Sequence, residues 1–142
     1  MNLINNIKIT VIGLGYVGLP LAIEFSKKFN VIGYDIDKIK VKSINNEFKK
    51  SKKNKNLEIR SNFGPNNNSN IYIVTVPTPV LKNKTPDLSF LKNATSKIST
   101  NLKKGDFVIY ESTVYPGATE EVLIPILEKK SKMKLNKDFY VG

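Results

Sequence analysis

Short runs of β-branched and aromatic residues alternate along the chain with longer stretches in which apolar positions recur every three or four residues. The first pattern predicts strands and the second amphipathic helices. Their regular alternation predicts an α/β domain with a mostly parallel sheet and helices on both faces. Strands are expected at Ile7 to Ile12, Val31 to Tyr34, Leu57 to Arg60, Ile71 to Thr75, Phe107 to Tyr110 and Phe139 to Val141. A first helix is expected from Tyr16 to Phe29, with Val17, Leu21 and Phe25 toward the sheet and Pro20 tolerated in its first turn. The second, Asp37 to Phe48, carries Ile39, Val41, Ile44 and Phe48. The third is expected to start at Thr85-Pro86-Asp87 and end near Leu102, before Gly105. The fourth is expected over Ala118 to Lys130, with a kink at Pro125. Asn62 to Asn70 (NFGPNNNSN) has no apolar period and reads as a loop.

The junction of the first strand and first helix carries the chemistry. Gly13, Gly15 and Gly18 form G-x-G-x-x-G directly after the apolar run, and Asp35 follows about 20 residues after Gly15, at the end of the next strand. Three glycines in that spacing are also an ordinary turn. The strand before, the helix after and the acid beyond them make it a dinucleotide-binding pattern. Gly13 suits the sharp turn, Gly15 lets backbone approach a pyrophosphate, and Gly18 lets helix and strand pack closely. The N–H groups of the helix start then face the phosphates. A carboxylate at Asp35 accepts from ribose hydroxyls and repels a 2'-phosphate, which favours NAD over NADP. Two further segments fall at the carboxyl ends of strands, where ligands of open α/β sheets collect. Val76-Pro77-Thr78-Pro79 follows the fourth strand, with Thr78 able to bond a phosphate or ribose, or simply a proline turn. Glu111-Ser112-Thr113-Val114-Tyr115-Pro116-Gly117 follows the fifth, with the Ser112 and Thr113 hydroxyls expected to point into the crevice.

Composition narrows the chemistry. The 142 residues contain neither cysteine nor histidine, which excludes disulfides, thiolate nucleophiles, Cys/His zinc sites and histidine bases within this chain, and no metal site is expected. Ser112 therefore has no base to make it a nucleophile. The formal charge of +11 comes from 22 lysines and one arginine, with 17 asparagines beside them. Lysines scattered over helix surfaces, without arginine forks, read as compositional bias rather than a nucleic-acid face. The run Lys49 to Lys55 reads as a solvated loop. Its rival reading, an anionic-partner patch, predicts steeply salt-dependent binding to DNA or RNA. No apolar stretch of membrane-spanning length occurs, and the short apolar run of MNLINNIKITVIGLG continues straight into the glycine turn rather than into a cleavage site, so a soluble cytoplasmic protein is expected.

In order and spacing, GLGYVGLPLA, YDID, TVPTP and ESTVYPGATEE resemble the N-terminal NAD-binding domain of the UDP-glucose/GDP-mannose dehydrogenase family. Glu111 before Ser-Thr and the ending DFYVG are more similar to the UDP-N-acetylhexosamine 6-dehydrogenases of bacterial polysaccharide synthesis. The resemblance implies a Rossmann-type, doubly wound fold over residues 1–142, NAD as cofactor and a UDP-sugar substrate. It also implies two-step oxidation of a C6 alcohol to a carboxylate with two NAD, through a thiohemiacetal and thioester on a cysteine. By motif, Gly13, Gly15, Tyr16, Val17, Gly18, Asp35, Thr78 and Ser112 would serve the cofactor. Thr113 would be the active-site threonine that positions a catalytic water.

Full chains of that family are about three times as long, more than one domain. Their catalytic glutamate segment, central dimerising helix, sugar-site lysine and asparagine, and nucleophilic cysteine find no match in these residues. The expectation is a cofactor part not competent for full turnover alone, whose family-type homodimer needs those other regions. The alternative is a stand-alone dinucleotide-binding module without catalysis. Two internal departures, a short Ile44 to Leu57 connection and the asparagine-rich Asn62 to Asn70 where the family has a short acidic helix, predict disturbed packing at the sheet edge.

Overall fold

The computed structural model describes residues 6–51, 55–64 and 67–142. Six strands form one parallel sheet: β1 (Lys8–Ile12), β2 (Asn30–Tyr34), β3 (Leu57–Arg60), β4 (Ile71–Val74), β5 (Phe107–Tyr110) and β6 (Tyr140–Val141), in the order β3-β2-β1-β4-β5-β6. The order reverses between β1 and β4, so a crevice opens there at the carboxyl ends of the strands. This is the doubly wound arrangement that the alternating pattern predicts. Every expected strand is present.

β1 has four of its five residues buried, as befits a central strand covered on both faces. One face packs on α1 (Gly18–Ser26) and α2 (Lys38–Ser51), with Val11, Ala22, Val31, Val41 and Ile44 in its core. The other packs on α3 (Ser89–Ser99) and α4 (Ile124–Ser131), around Tyr72, Leu91, Ile98, Leu123, Leu127 and Phe139. The edge strand β3 pairs with β2 over all four of its residues, so the shortened connection before it leaves the sheet edge intact. Asn62 to Asn70, where described, is irregular, as expected.

The helix ends depart from the sequence expectation. Tyr16 and Val17 form a turn, and α1 starts only at Gly18. α2 runs on through Ser51, taking in the start of the lysine run; residues 52–54 of that run, like the N-terminal 1–5, lie outside the described residues. The expected cap at Thr85-Pro86-Asp87 is instead a loop: Pro86 bridges Val80, the Asn83 side chain accepts from Thr85, and α3 begins at Ser89, whose N–H donates to Asp87 Oδ1 at 2.8 Å. Ahead of Pro125, Thr119–Leu123 forms a π-helical turn closed by the Ile124 N–H on the Thr119 carbonyl. A proline ring collides with the carbonyl four residues back in a regular α-helix, and a widened turn relieves that collision. Among the described residues, no helix is long and apolar enough to cross a membrane.

At the amino edge of the sheet Asp106 is 3% exposed, and its Oδ2 accepts the Lys103 N–H at 2.8 Å. Burial pushes its pKa up to about 6, against the Lys103 hydrogen bond and charge. Between the unfolded value of 3.8 and about 6 the folded state holds a proton that the unfolded chain releases, so this group's contribution falls as pH rises through that window. Asp106→Asn is expected to raise stability at pH 7 by about 1–3 kcal/mol. Urea melts at a series of pH values should show the gain vanish toward pH 4. A gain independent of pH would assign it to packing.

Candidate functional site

The glycine turn is held from below. Gly13 adopts φ +95°, and a Cβ there would stand 2.9 Å from the Thr75 backbone. Its N–H donates to the Tyr34 carbonyl at 2.8 Å, and the Thr75 hydroxyl donates to its carbonyl at 2.6 Å. Leu14 N–H donates to Asp35 Oδ2 at 2.9 Å. Chain from β1, β2 and β4 thus converges on one turn. Beyond it, the N–H groups of Gly15, Tyr16 and Val17 have no acceptor among the described residues. α1 brings neither a capping side chain nor an acid to its first turn, so its positive end is left for an anion.

Asp35, just past the end of β2, is 6% exposed. Its Oδ1 accepts the Asp37 N–H at 2.9 Å and its Oδ2 accepts Lys40 Nζ at 2.9 Å. Burial pushes the Asp35 pKa up, but these bonds and that of Leu14 outweigh it, and the group stays below its ordinary value. Lys40 is absent from the sequence expectation. It lies on the first turn of α2, and only the β2–α2 junction brings it to the acid.

The loops after β4 and β5 are clasped to each other. Ser112 Oγ donates to the Val76 carbonyl at 2.6 Å, and Thr78 Oγ1 donates to the Thr113 carbonyl at 2.8 Å. The Ser112 hydroxyl therefore gives its proton to backbone rather than pointing it into the crevice, although its lone pairs remain. The Thr113 hydroxyl has no partner among the described residues.

Around these groups lies a crevice of ≈ 360 Å³. Gly13, Gly15, Tyr16, Val17, Asp35, Thr78, Ser112 and Thr113 all line it, together with Lys40, Thr75 and Glu111. Gly18 is the exception among the expected residues. It is buried under the turn, where it lets α1 start against Gly13. A second cavity of ≈ 300 Å³ adjoins the first at Gly13, Asp35 and Lys40, and is lined by Ile36, Phe90 and Ala94, with Asn93 and Lys97 at hand. This slot is likewise absent from the sequence expectation. Its one sequence signal is the spacing of Phe90, Asn93, Ala94 and Lys97 along one helix face. Among the described residues no group of acids could hold a metal.

The whole suits an extended, anionic, two-ended molecule. An apolar slot stands at one end, a carboxylate and an ammonium come next, free N–H groups lie at the middle, and hydroxyls close the far end. Nothing stands within 4 Å of where a Gly15 Cβ would be, so backbone donors there are open to direct approach. NAD has that shape and charge.

Comparison with known proteins agrees. Residues 7–142 match the family model described as the NAD binding domain of the UDP-glucose/GDP-mannose dehydrogenase family. A UDP-N-acetyl-D-glucosamine 6-dehydrogenase from Pseudomonas aeruginosa is 46% identical over 145 residues, 96% of this chain and 34% of its own. The protein of the same name from Salmonella typhi is 45% identical over 98% of this chain and 35% of its own. Among solved structures, the UDP-D-ManNAc dehydrogenase of Pyrococcus horikoshii superposes with a TM-score of 0.86 at 34% identity, covering 95% of this chain and 35% of that one. The chain spans about a third of the length of the curated relatives it matches.

Proposed function

Because the chain belongs to the UDP-glucose/GDP-mannose dehydrogenase family and forms its NAD-binding domain, we propose that it is the cofactor part of a UDP-N-acetylhexosamine 6-dehydrogenase. NAD lies along the carboxyl edge of the sheet, from the Phe90 slot to Thr113. The observation that carries this reading is the set of unclaimed N–H groups at Gly15, Tyr16 and Val17, three residues that line the crevice, with open space over Gly15.

Each part of the crevice has a task. The slot beside Ile36, Phe90 and Ala94 takes the adenine by apolar contact. Asp35 and Lys40 hold the adenosine ribose: three of about four acceptor positions on the carboxylate are taken, leaving one for a hydroxyl, while the ammonium has donors to spare. The glycine turn and the start of α1 hold the pyrophosphate. Thr78 and Ser112 tie the two loops that border the nicotinamide end, which fixes the width of the crevice there. The unengaged Thr113 hydroxyl orients a water toward the reacting carbon. Bound NAD supplies a hydride acceptor.

The whole enzyme oxidises the C6 alcohol of its nucleotide sugar to a carboxylate and consumes two NAD. The covalent step needs a thiol that these 142 residues do not contain. The second reading is a dinucleotide-binding module without turnover of its own. UDP-N-acetylhexosamine is preferred to UDP-glucose because the relatives at 46% and 45% identity bear UDP-N-acetyl-D-glucosamine in their names.

A domain exchange tests the reading. This chain replaces the corresponding third of the Pseudomonas aeruginosa relative, and NADH formation is followed at saturating UDP-N-acetylglucosamine. The chimera is expected to reduce NAD. A folded chimera that binds the sugar nucleotide yet reduces no NAD would contradict the proposal and leave the binding-module reading.

A further inference from the structure

Lys40 reaches Asp35 from a different element, the first turn of α2, and the ion pair closes at 2.9 Å. The Asp35 side chain is 7% exposed and that of Lys40 41%, so the ammonium is the outer member, on the crevice side. Lys97 of α3 lines the adjoining slot together with both residues. The charges facing this spot are the Asp35 and Asp37 carboxylates and the Lys40 and Lys97 ammoniums. Asp37 is already engaged at the start of α2, its Oδ1 accepting the N–H groups of Ile39 and Lys40. With the Asp35 charge gone, the Lys40 and Lys97 ammoniums would outnumber the remaining Asp37 carboxylate where a ribose 2'-position sits, a setting that favours a phosphate.

We propose that Lys40 is the nucleotide-selecting residue of this site: Asp35 holds its ammonium as a counter-ion, so the site takes NAD, and loss of the Asp35 charge frees Lys40 to bind the 2'-phosphate of NADP. This rests on the reading above that the adenosine ribose lies against Asp35. It differs from selection by repulsion alone. The pair is close to neutral as a unit, so Asp35 discriminates mainly by occupying Lys40. A repelling acid would relax its discrimination on removal whatever stood at position 40.

NAD and NADP are titrated calorimetrically, at one low salt concentration, into the 142-residue chain and its Asp35→Asn, Lys40→Met and doubly substituted variants. Asp35→Asn is expected to tighten NADP about tenfold or more, the effect of one charge-assisted bond to phosphate. The double variant should fall back to within about threefold of the parent for NADP. Lys40→Met alone should weaken NADP further, since it leaves the carboxylate unpaired. A double variant that keeps the gain, or a folded Asp35→Asn without one, overturns the proposal. Should Asp35→Asn fail to fold, Lys40→Met decides, and unchanged NADP affinity overturns it. A parent chain that binds neither nucleotide removes the underlying reading, and this one with it.

Discussion

A Gly15→Val variant is expected to lose NAD affinity by about 100-fold or more while its stability stays within about 0.5 kcal/mol of the parent. In the free chain no heavy atom stands within 4 Å of the position a Cβ would take at Gly15, and the backbone there is not in the left-handed region. The side chain therefore meets only open space. Bound pyrophosphate would need that same space to reach the N–H groups of Gly15, Tyr16 and Val17. Bonds from such donors to a charged oxygen contribute about 1.5–3 kcal/mol each, so losing two accounts for the expected factor. Calorimetric titration beside a thermal melt reads both quantities. A variant that binds NAD like the parent would move the pyrophosphate off this turn, and one that melts far lower would mean the position is packed more tightly than the geometry shows.

Gly18→Ala should do the opposite first. Its Cβ would lie 1.8 Å from the Gly13 carbonyl oxygen and 2.4 Å from Thr75 Oγ1. The oxygen is backbone and cannot swing aside, so β1 and α1 must separate or the turn must rearrange. Overpacking of this kind costs about 1–3 kcal/mol and more when backbone is the obstacle. In a domain of this size that lowers the melting temperature by about 10 °C. NAD affinity should fall with it, because the displaced turn carries the phosphate donors. The pair of substitutions separates two roles within one motif: Gly18 builds the turn and Gly15 leaves room above it. A Gly18→Ala chain that melts like the parent would contradict the close contact between α1 and β1.

That division of roles is legible in the amino-acid sequence, because G-x-G-x-x-G needs only local geometry and its neighbours announce strand and helix. The six strands are legible for the same reason, as short β-branched runs with a simple period. Helix ends are not. Pro86 reads as a helix-start residue by composition, yet a bridge to Val80 within the same connection takes it into a loop. Pro125 reads as a kink, and the adjustment falls on the π-helical turn before it. The residues missed at the site share one property, that their partners come from other elements. Thr75 reaches Gly13 from just beyond β4, Lys40 reaches Asp35 from α2, and the Phe90 slot depends on how α3 lies beside the end of β2. Ser112 fails as a crevice donor because the Val76 carbonyl beyond the end of β4 accepts its proton, which no spacing along the chain reveals.

NAD is expected to occupy the carboxyl edge of this sheet with its pyrophosphate on the glycine turn. The most direct test is an NMR titration of the isotope-labelled 142-residue chain with NAD, following every backbone amide. Saturable shifts are expected at Gly13 to Gly18, Asp35 to Lys40, Thr75, Val76, Thr78 and Glu111 to Thr113, with the Asp106 region at the opposite edge unmoved. Shifts that fail to saturate, or that spread over the lysine-bearing surfaces and fade with salt, would contradict it.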